Sequence, residues 1–289
     1  MTRVMTTAAS ADRTRARRGL GLFFVLIVVF EAVCLTLLSA TGSPLFIYVL
    51  MWSVALASVV ARLAMREGFG DVSFRWGGWS SVRWSVVGVV FPLVVGVLAF
   101  GTAWLTGLAP FAPPPGGFWA GLVMALTLGL VMSLVWATGE EIGWRGYMLT
   151  RLIDAGVPRP VLVHSVIWGL WHTPLIFAGF IYSEHPVTIV AVLLFMVSVI
   201  PMGFVLARIR LTTGSVWPGV VAHGAYNSVI QAAFWPAAAA GGPSAAVWVG
   251  MEAGILTAVA LVIVGFVVCA GTWTYRRSPD ELMRGPERL

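Results

Sequence analysis

Eight stretches of this sequence are long and apolar enough to cross a lipid bilayer, and few folds tolerate that. A span needs roughly 20 mostly apolar residues to cover about 30 Å of hydrocarbon. The stretches run approximately over 19–40, 44–65, 85–109, 118–139, 161–181, 187–209, 216–235 and 247–273. Only 10% of the chain is charged while 59% is hydrophobic. A soluble domain carries about 25% charged residues, so this chain lacks the polar surface to face water. The expectation is an all-α fold, a polytopic integral membrane bundle of about eight transmembrane helices.

The connecting loops support that count. Every one of the 18 basic residues is Arg. Arg13, Arg15, Arg17 and Arg18 precede the first stretch; Arg62, Arg66, Arg75 and Arg83 surround the second loop. Arg145, Arg151 and Arg159 mark the fourth loop, Arg208 and Arg210 the sixth, and Arg276, Arg277, Arg284 and Arg288 the tail. The first, third and seventh loops carry no charge, and the fifth has only Glu184 and His185. Under the positive-inside rule this alternation predicts both termini in the cytoplasm. The division expected is a cytoplasmic tail over 1–18, one membrane domain over 19–275 and a second cytoplasmic tail over 276–289. The net charge of +6 comes from these short runs between apolar segments, so no nucleic-acid partner follows from it. The first stretch lacks a small-residue cleavage site and reads as a retained anchor. Cys34 and Cys269 both fall in apolar stretches and are not expected to pair. The segment 69–84, rich in Gly, Trp, Arg and Ser, is expected to lie along the interface.

Charged and ionisable side chains are costly inside a bilayer and mark chemistry or transport. Glu140 and Glu141 close the fourth stretch, His172 lies in the fifth, and His223 and Asn227 lie in the seventh. At 1.5 Å per residue, Glu140 lies roughly 16 Å before Arg151, and His172 and His223 roughly 20 Å beyond Arg159 and Arg210. Three helices thus bring a carboxylate and two imidazoles to similar depth. His223 and Asn227, four apart, share a helix face. Glu141 and Arg145 have the favourable order and spacing for an ion pair, and Glu140 points about 100° away, toward the bundle interior. Trp168 stands one turn before His172 and is placed to wall a pocket. A carboxylate and an imidazole can hold and activate a water, while an amide and a second imidazole can stabilise an oxyanion. No serine or cysteine stands out as a nucleophile, so direct attack by water is the simpler reading.

These residues resemble a family. The run from Glu140 to Arg145 is similar to the EExxxR signature of the CPBP family, which holds the type II CAAX prenyl endopeptidases and bacterial Abi-type proteins. Trp168 to His172 is similar to its second motif, an aromatic residue four before a histidine, and His223 to Asn227 to its third, HxxxN. The likeness covers roughly 118–235. It implies a glutamate-dependent intramembrane endopeptidase with Glu140 activating water, His172 assisting, and His223 with Asn227 forming the oxyanion site. Glu141 and Arg145 would shape the site. Trp168 stands where the family often has Phe, a departure expected to be harmless. The family is often labelled metal-dependent, and Glu with two His is a possible zinc set. No short-spaced HExxH is present, so the expectation is a metal-free site with no cofactor.

The implied partners are the bilayer and a membrane-associated peptide or protein substrate. Competing readings are a scaffold or bacteriocin-immunity-type protein on the same fold, and a proton-coupled transporter. A scaffold has no need of all four polar residues, and no paired repeat of the transporter kind is present. The Lys-free, Arg-, Ala- and Gly-rich composition points to a bacterial plasma membrane, where prenylated CAAX substrates are not expected. His164 reads as structural, His185 as solvated in an outer loop, and Glu252 as snorkelling at the outer end of the last span. Glu31, mid-span in the first stretch, has no assigned role.

Overall fold

In the computed structural model, the backbone is described for residues 2–271, 273–275 and 287–288, and side chains for residues 12–271 and 273. Most of the predicted C-terminal tail lies outside these residues. The chain is a helical bundle, as lipid requires: with no water in the hydrocarbon, helices satisfy their own backbone groups. Helix α1 covers Thr2–Thr41 and α2 covers Leu45–Met65. A polar segment with a short 3-10 turn at Gly70–Val72 leads to α3, Trp79–Gly96, continued by a π turn and α4, Thr102–Thr106. Next comes one long rod: α5 Gly117–Met124, a π turn, α6 Leu130–Gly143, a second π turn at Trp144–Met148, and α7 Leu149–Asp154. Then follow α8 Pro160–Phe177, α9 Thr188–Thr213 and α10 Trp217–Tyr226, the last running on as a π helix over Asn227–Phe234. Short α11, Gly242–Val249, precedes α12, Ile255–Cys269. The non-helical remainder includes a two-residue antiparallel pairing of β1, Thr274–Tyr275, with β2, Glu287–Arg288.

Among the described residues, six helices are long and apolar enough to cross a membrane. The seventh predicted span is helical over Trp217–Phe234 but carries His223, Asn227, Ser228 and Gln231. The eighth, α12, is 15 residues long. Both fall short of the apolar length expected of them, the one through its polar residues and the other through a break at Gly254, where the backbone turns extended.

The centre of the bundle forms where α10 packs on α3, α6 and α9, with α2 against α6 on the far side. Lipid supplies no hydrophobic drive between helices, so close approach depends on small residues. Gly139 and Gly143 supply it at four-residue spacing. A Cβ on Gly143 would lie 2.6 Å from the Val54 carbonyl oxygen, and one on Gly139 2.9 Å from that of Met51. These glycines bracket Glu140 and Glu141, so the α2–α6 contact fixes the rotation of the helix that carries both carboxylates. Trp76 and Trp79, in and just after the polar segment, are 52% and 73% exposed, as residues at an interface should be.

Candidate active site

Glu140, Glu141 and Arg145 are buried near the end of the α5–α7 rod. Trp168 and His172 come from α8, His223 from α10, and Asn227 from the first π turn beyond it. Glu140, Trp168, His172, His223 and Asn227 all line one cavity of about 480 Å³. The four residues expected to carry the chemistry therefore meet, and Trp168 walls the pocket. Glu141 and Arg145 stand behind that wall.

The hydrogen bonds order these side chains. The Trp168 indole Nε1–H donates to Glu140 Oε2 at 3.0 Å. Arg145 Nη1 donates to Glu141 Oε1 at 2.8 Å, the pair expected from spacing. The same oxygen accepts from His223 Nδ1 at 2.9 Å, across 82 residues of sequence. Arg145 also lies over the Trp168 ring, its Cζ 3.9 Å from the centroid, a cation–π contact in a dry environment. One chain of contacts thus joins His223, Glu141, Arg145, Trp168 and Glu140.

Histidine tautomers follow from the partners. His172 Nδ1 is 2.8 Å from the Trp168 carbonyl oxygen, which only accepts, so Nδ1 carries the proton. The Glu141 carboxylate requires the same of His223. Both imidazoles keep Nε2 for the cavity. A neutral imidazole offers a lone pair there and cannot donate. Asn227 therefore remains as the donor that does not depend on protonation, and the expected His223 contribution to an oxyanion requires the imidazolium.

Two nitrogen lone pairs and one carboxylate make a chemically suitable donor list for zinc. Among the described residues, however, no three His, Cys, Asp or Glu side chains are grouped closely enough to hold a metal ion. Glu141 is engaged with Arg145 and His223.

Three residues of the cavity were not singled out from the sequence as site residues. Tyr182 and Gln231 line it, and Glu252 faces it as well. Glu252 does not snorkel. It is 5% exposed, accepting from Tyr182 Oη at 2.6 Å and from Gln231 Nε2 at 3.1 Å. The turn before α12 folds it inward where a straight helix would have carried it to the outer interface. Gln231 follows Asn227 at the spacing by which Asn227 follows His223, a signal that was available in the sequence. His185 is also buried, 7% exposed, because the short loop folds its Nδ1 against Val187. His164 is fully buried and absent from the cavity wall, in keeping with a structural place. Glu31 is buried in α1, and among the described residues its Oε1 has no partner. Cys34 and Cys269 are both free thiols.

The outside of the bundle carries a larger apolar groove of about 850 Å³ along α1 and α2. It shares a wall with the polar cavity: Tyr48 and Trp136, stacked with centroids 4.2 Å apart, line both.

Residues 122–229 match the family described as type II CAAX prenyl endopeptidase Rce1-like. The similarity to the CAAX protease family is thus confined to this segment. All of the motif residues named above fall within that segment. A CAAX prenyl protease 2 from Methanococcus maripaludis is 35% identical over 80 residues, 27% of this chain and 30% of that protein. The matched segment thus spans less than a third of the relative. The bundle of apolar helices and the family match together indicate a multi-pass membrane protein.

Proposed function

We propose that the protein is an intramembrane endopeptidase that hydrolyses a peptide bond of a membrane-associated peptide or protein by direct attack of water. The observation that carries this reading is the common cavity lined by Glu140, His172, His223 and Asn227, contributed by three separate helix segments. The Glu140 carboxylate takes a proton from water as the water oxygen bonds to the scissile carbonyl carbon, and the carbonyl electron pair moves to oxygen. Trp168 occupies Glu140 Oε2, which leaves Oε1 for the water. His172 Nε2, an acceptor, orients that water through its second proton. Asn227 donates to the oxyanion, and Glu140 returns its proton to the amine as the C–N bond breaks. Glu141 and Arg145 hold His223 and Trp168 and do not touch the reacting atoms.

Glu140→Gln tests the reading. The amide keeps the shape but cannot take the proton, and loss of a general base costs about 100-fold or more. Peptide turnover by the reconstituted protein, with comparison of membrane peptides in cells with and without active Glu140, is the measurement. Activity retained within about threefold removes Glu140 from the mechanism.

A further inference from the structure

A carboxylate in the same cavity takes no part in the chemistry above. Glu252 lies in the turn Met251–Ala253, outside the segment that matches the CAAX protease family. Both of its oxygens are held by neutral donors, the Tyr182 hydroxyl and the Gln231 amide. Among the described residues, no Arg side chain pairs with it, and the other ionisable groups around it are Tyr182, Tyr226 and His223. Each oxygen keeps a lone pair, and the side chain faces the cavity. A buried carboxylate whose partners are all neutral is poorly compensated for the water it has lost, and the deficit is met when a cation arrives. The backbone around it is also set for the purpose. Tyr182 and Met251 both adopt left-handed conformations, φ 55° and 48°, uncommon outside glycine, and these bring the two loops into hydrogen-bond contact.

We propose that Glu252 is a substrate-recognition residue: it accepts a charge-assisted hydrogen bond from a guanidinium or ammonium group on the bound peptide. The Tyr182 hydroxyl and Gln231 amide aim the carboxylate; the cavity places the cation on the same polypeptide that presents its backbone to Glu140. The assignment rests on the peptidase reading only for the class of occupant. It makes a basic residue at one fixed distance from the scissile bond a determinant of specificity. Charge-assisted bonds are about twice as strong as neutral ones, and more so where water is excluded.

Binding tests this separately from turnover. The probe is a fluorescent single-span Leu/Ala peptide with one Arg stepped along it, each version paired with a citrulline peptide that keeps the shape and loses the charge. Affinities are read in lipid nanodiscs on the Glu140→Gln protein, in which no cleavage intervenes, and on the same protein with Glu252→Gln. At one register the Arg peptide is expected to bind at least about tenfold tighter than its citrulline partner, and Glu252→Gln should bring that ratio near one. Glu252→Asp, which keeps the charge on a shorter arm, should give an intermediate ratio and serves if the glutamine variant folds poorly. No Arg preference at any register, or a preference unchanged in both Glu252 variants, overturns the proposal. Failure of Glu140→Gln to lower turnover would instead count against the peptidase reading and leave the binding ratios standing.

Discussion

At the scale of single residues, the indole of Trp168 is the detail that sequence reasoning undervalued. Taken as an aromatic wall, Trp and Phe are alike. In the structure they are not, because only the indole has an N–H to give to Glu140 Oε2. In the proposed mechanism that bond leaves Glu140 Oε1 for water, and the ring meanwhile covers the Arg145 guanidinium. Trp168→Phe keeps the wall and the cation–π face but removes the donor. We expect turnover to fall about tenfold with KM little changed, as for loss of a charge-assisted bond that positions a catalytic group. Assay of the purified variant beside Trp168→Ala, which also uncovers Arg145 and should be worse, checks this. Equal activity of the Phe variant and the wild type would make the indole bond incidental. Motif spacing drew attention to Glu140, His172, His223 and Asn227, which line one cavity, and made the Glu141–Arg145 pair legible, since an i, i+4 spacing rests on local helix geometry. The His223–Glu141 bond was not legible, because two residues 82 apart declare no contact in a single sequence.

At the scale of elements, the polar segment between α2 and α3 is more than an interfacial strip. Arg62 in α2 and Arg151 in α7 both pair with Asp71, Arg151 also pairs with Glu67 and Asp154, and Arg210 in α9 donates to the Asp71 carbonyl and to Ser73 Oγ. Arg62 reaches the Gly146 carbonyl besides, within the π turn that carries Arg145. The segment therefore latches three helices together at the arginine-bearing end and braces the turn on which the site is built. Burial alone would raise the Asp71 carboxyl; the Arg62 and Arg151 guanidinium groups outweigh it and hold it below its ordinary value. A depressed carboxyl contributes stability that is complete above its unfolded value, about 3.9 for Asp, and is lost as pH falls through the folded value. Thermal melts in detergent should therefore show no contribution from Asp71 to pH dependence between pH 6 and 8 and a loss below about pH 4. Asp71→Asn should lower Tm at neutral pH and flatten the acid limb. An acid limb as steep in Asp71→Asn as in the wild type would assign it to other groups. The alternation of arginines announced these loops as one face, but which arginine meets which carboxylate depends on helix rotations that the pattern does not encode.

At the scale of the whole molecule, hydropathy gave eight spans, while only six helices among those described are long and apolar enough by themselves. The hydrogen bonds between loops decide how the polar seventh segment runs. At one end, Arg151 binds Glu67 and Asp71, Arg210 binds Ser73, and Trp217 donates to the Phe74 carbonyl, so the second, fourth and sixth loops meet there. Arg17 reaches the Ala155 carbonyl and Arg208 that of Cys269, which brings the start of the first span and the end of the last to the same end. At the other end Ala112 donates to the Ala237 carbonyl, joining the third loop to the seventh, and Tyr182 of the fifth loop binds Glu252. The segment from Trp217 to Phe234 must then run from one end to the other. It is polar because it is the wall of the cavity, which is why a hydropathy criterion undervalues it. If the arginine-bearing end faces the cytoplasm, as the positive-inside rule expects, both termini do too. Single cysteines in a background with Cys34 and Cys269 replaced by Ala test this with a membrane-impermeant maleimide. Ala240, exposed near the tip of the seventh loop, is a better site than Gly241, where a Cβ would lie 2.7 Å from Pro110. Ala240→Cys should label in intact cells, and Pro158→Cys, exposed in the fourth loop, only after permeabilisation. The reverse pattern would invert the molecule in the membrane and place the Arg62–Asp71–Arg151 latch outside. Labelling of both from one side would mean that the loops do not alternate, and with that the crossing of the segment carrying His223 and Asn227 would fall.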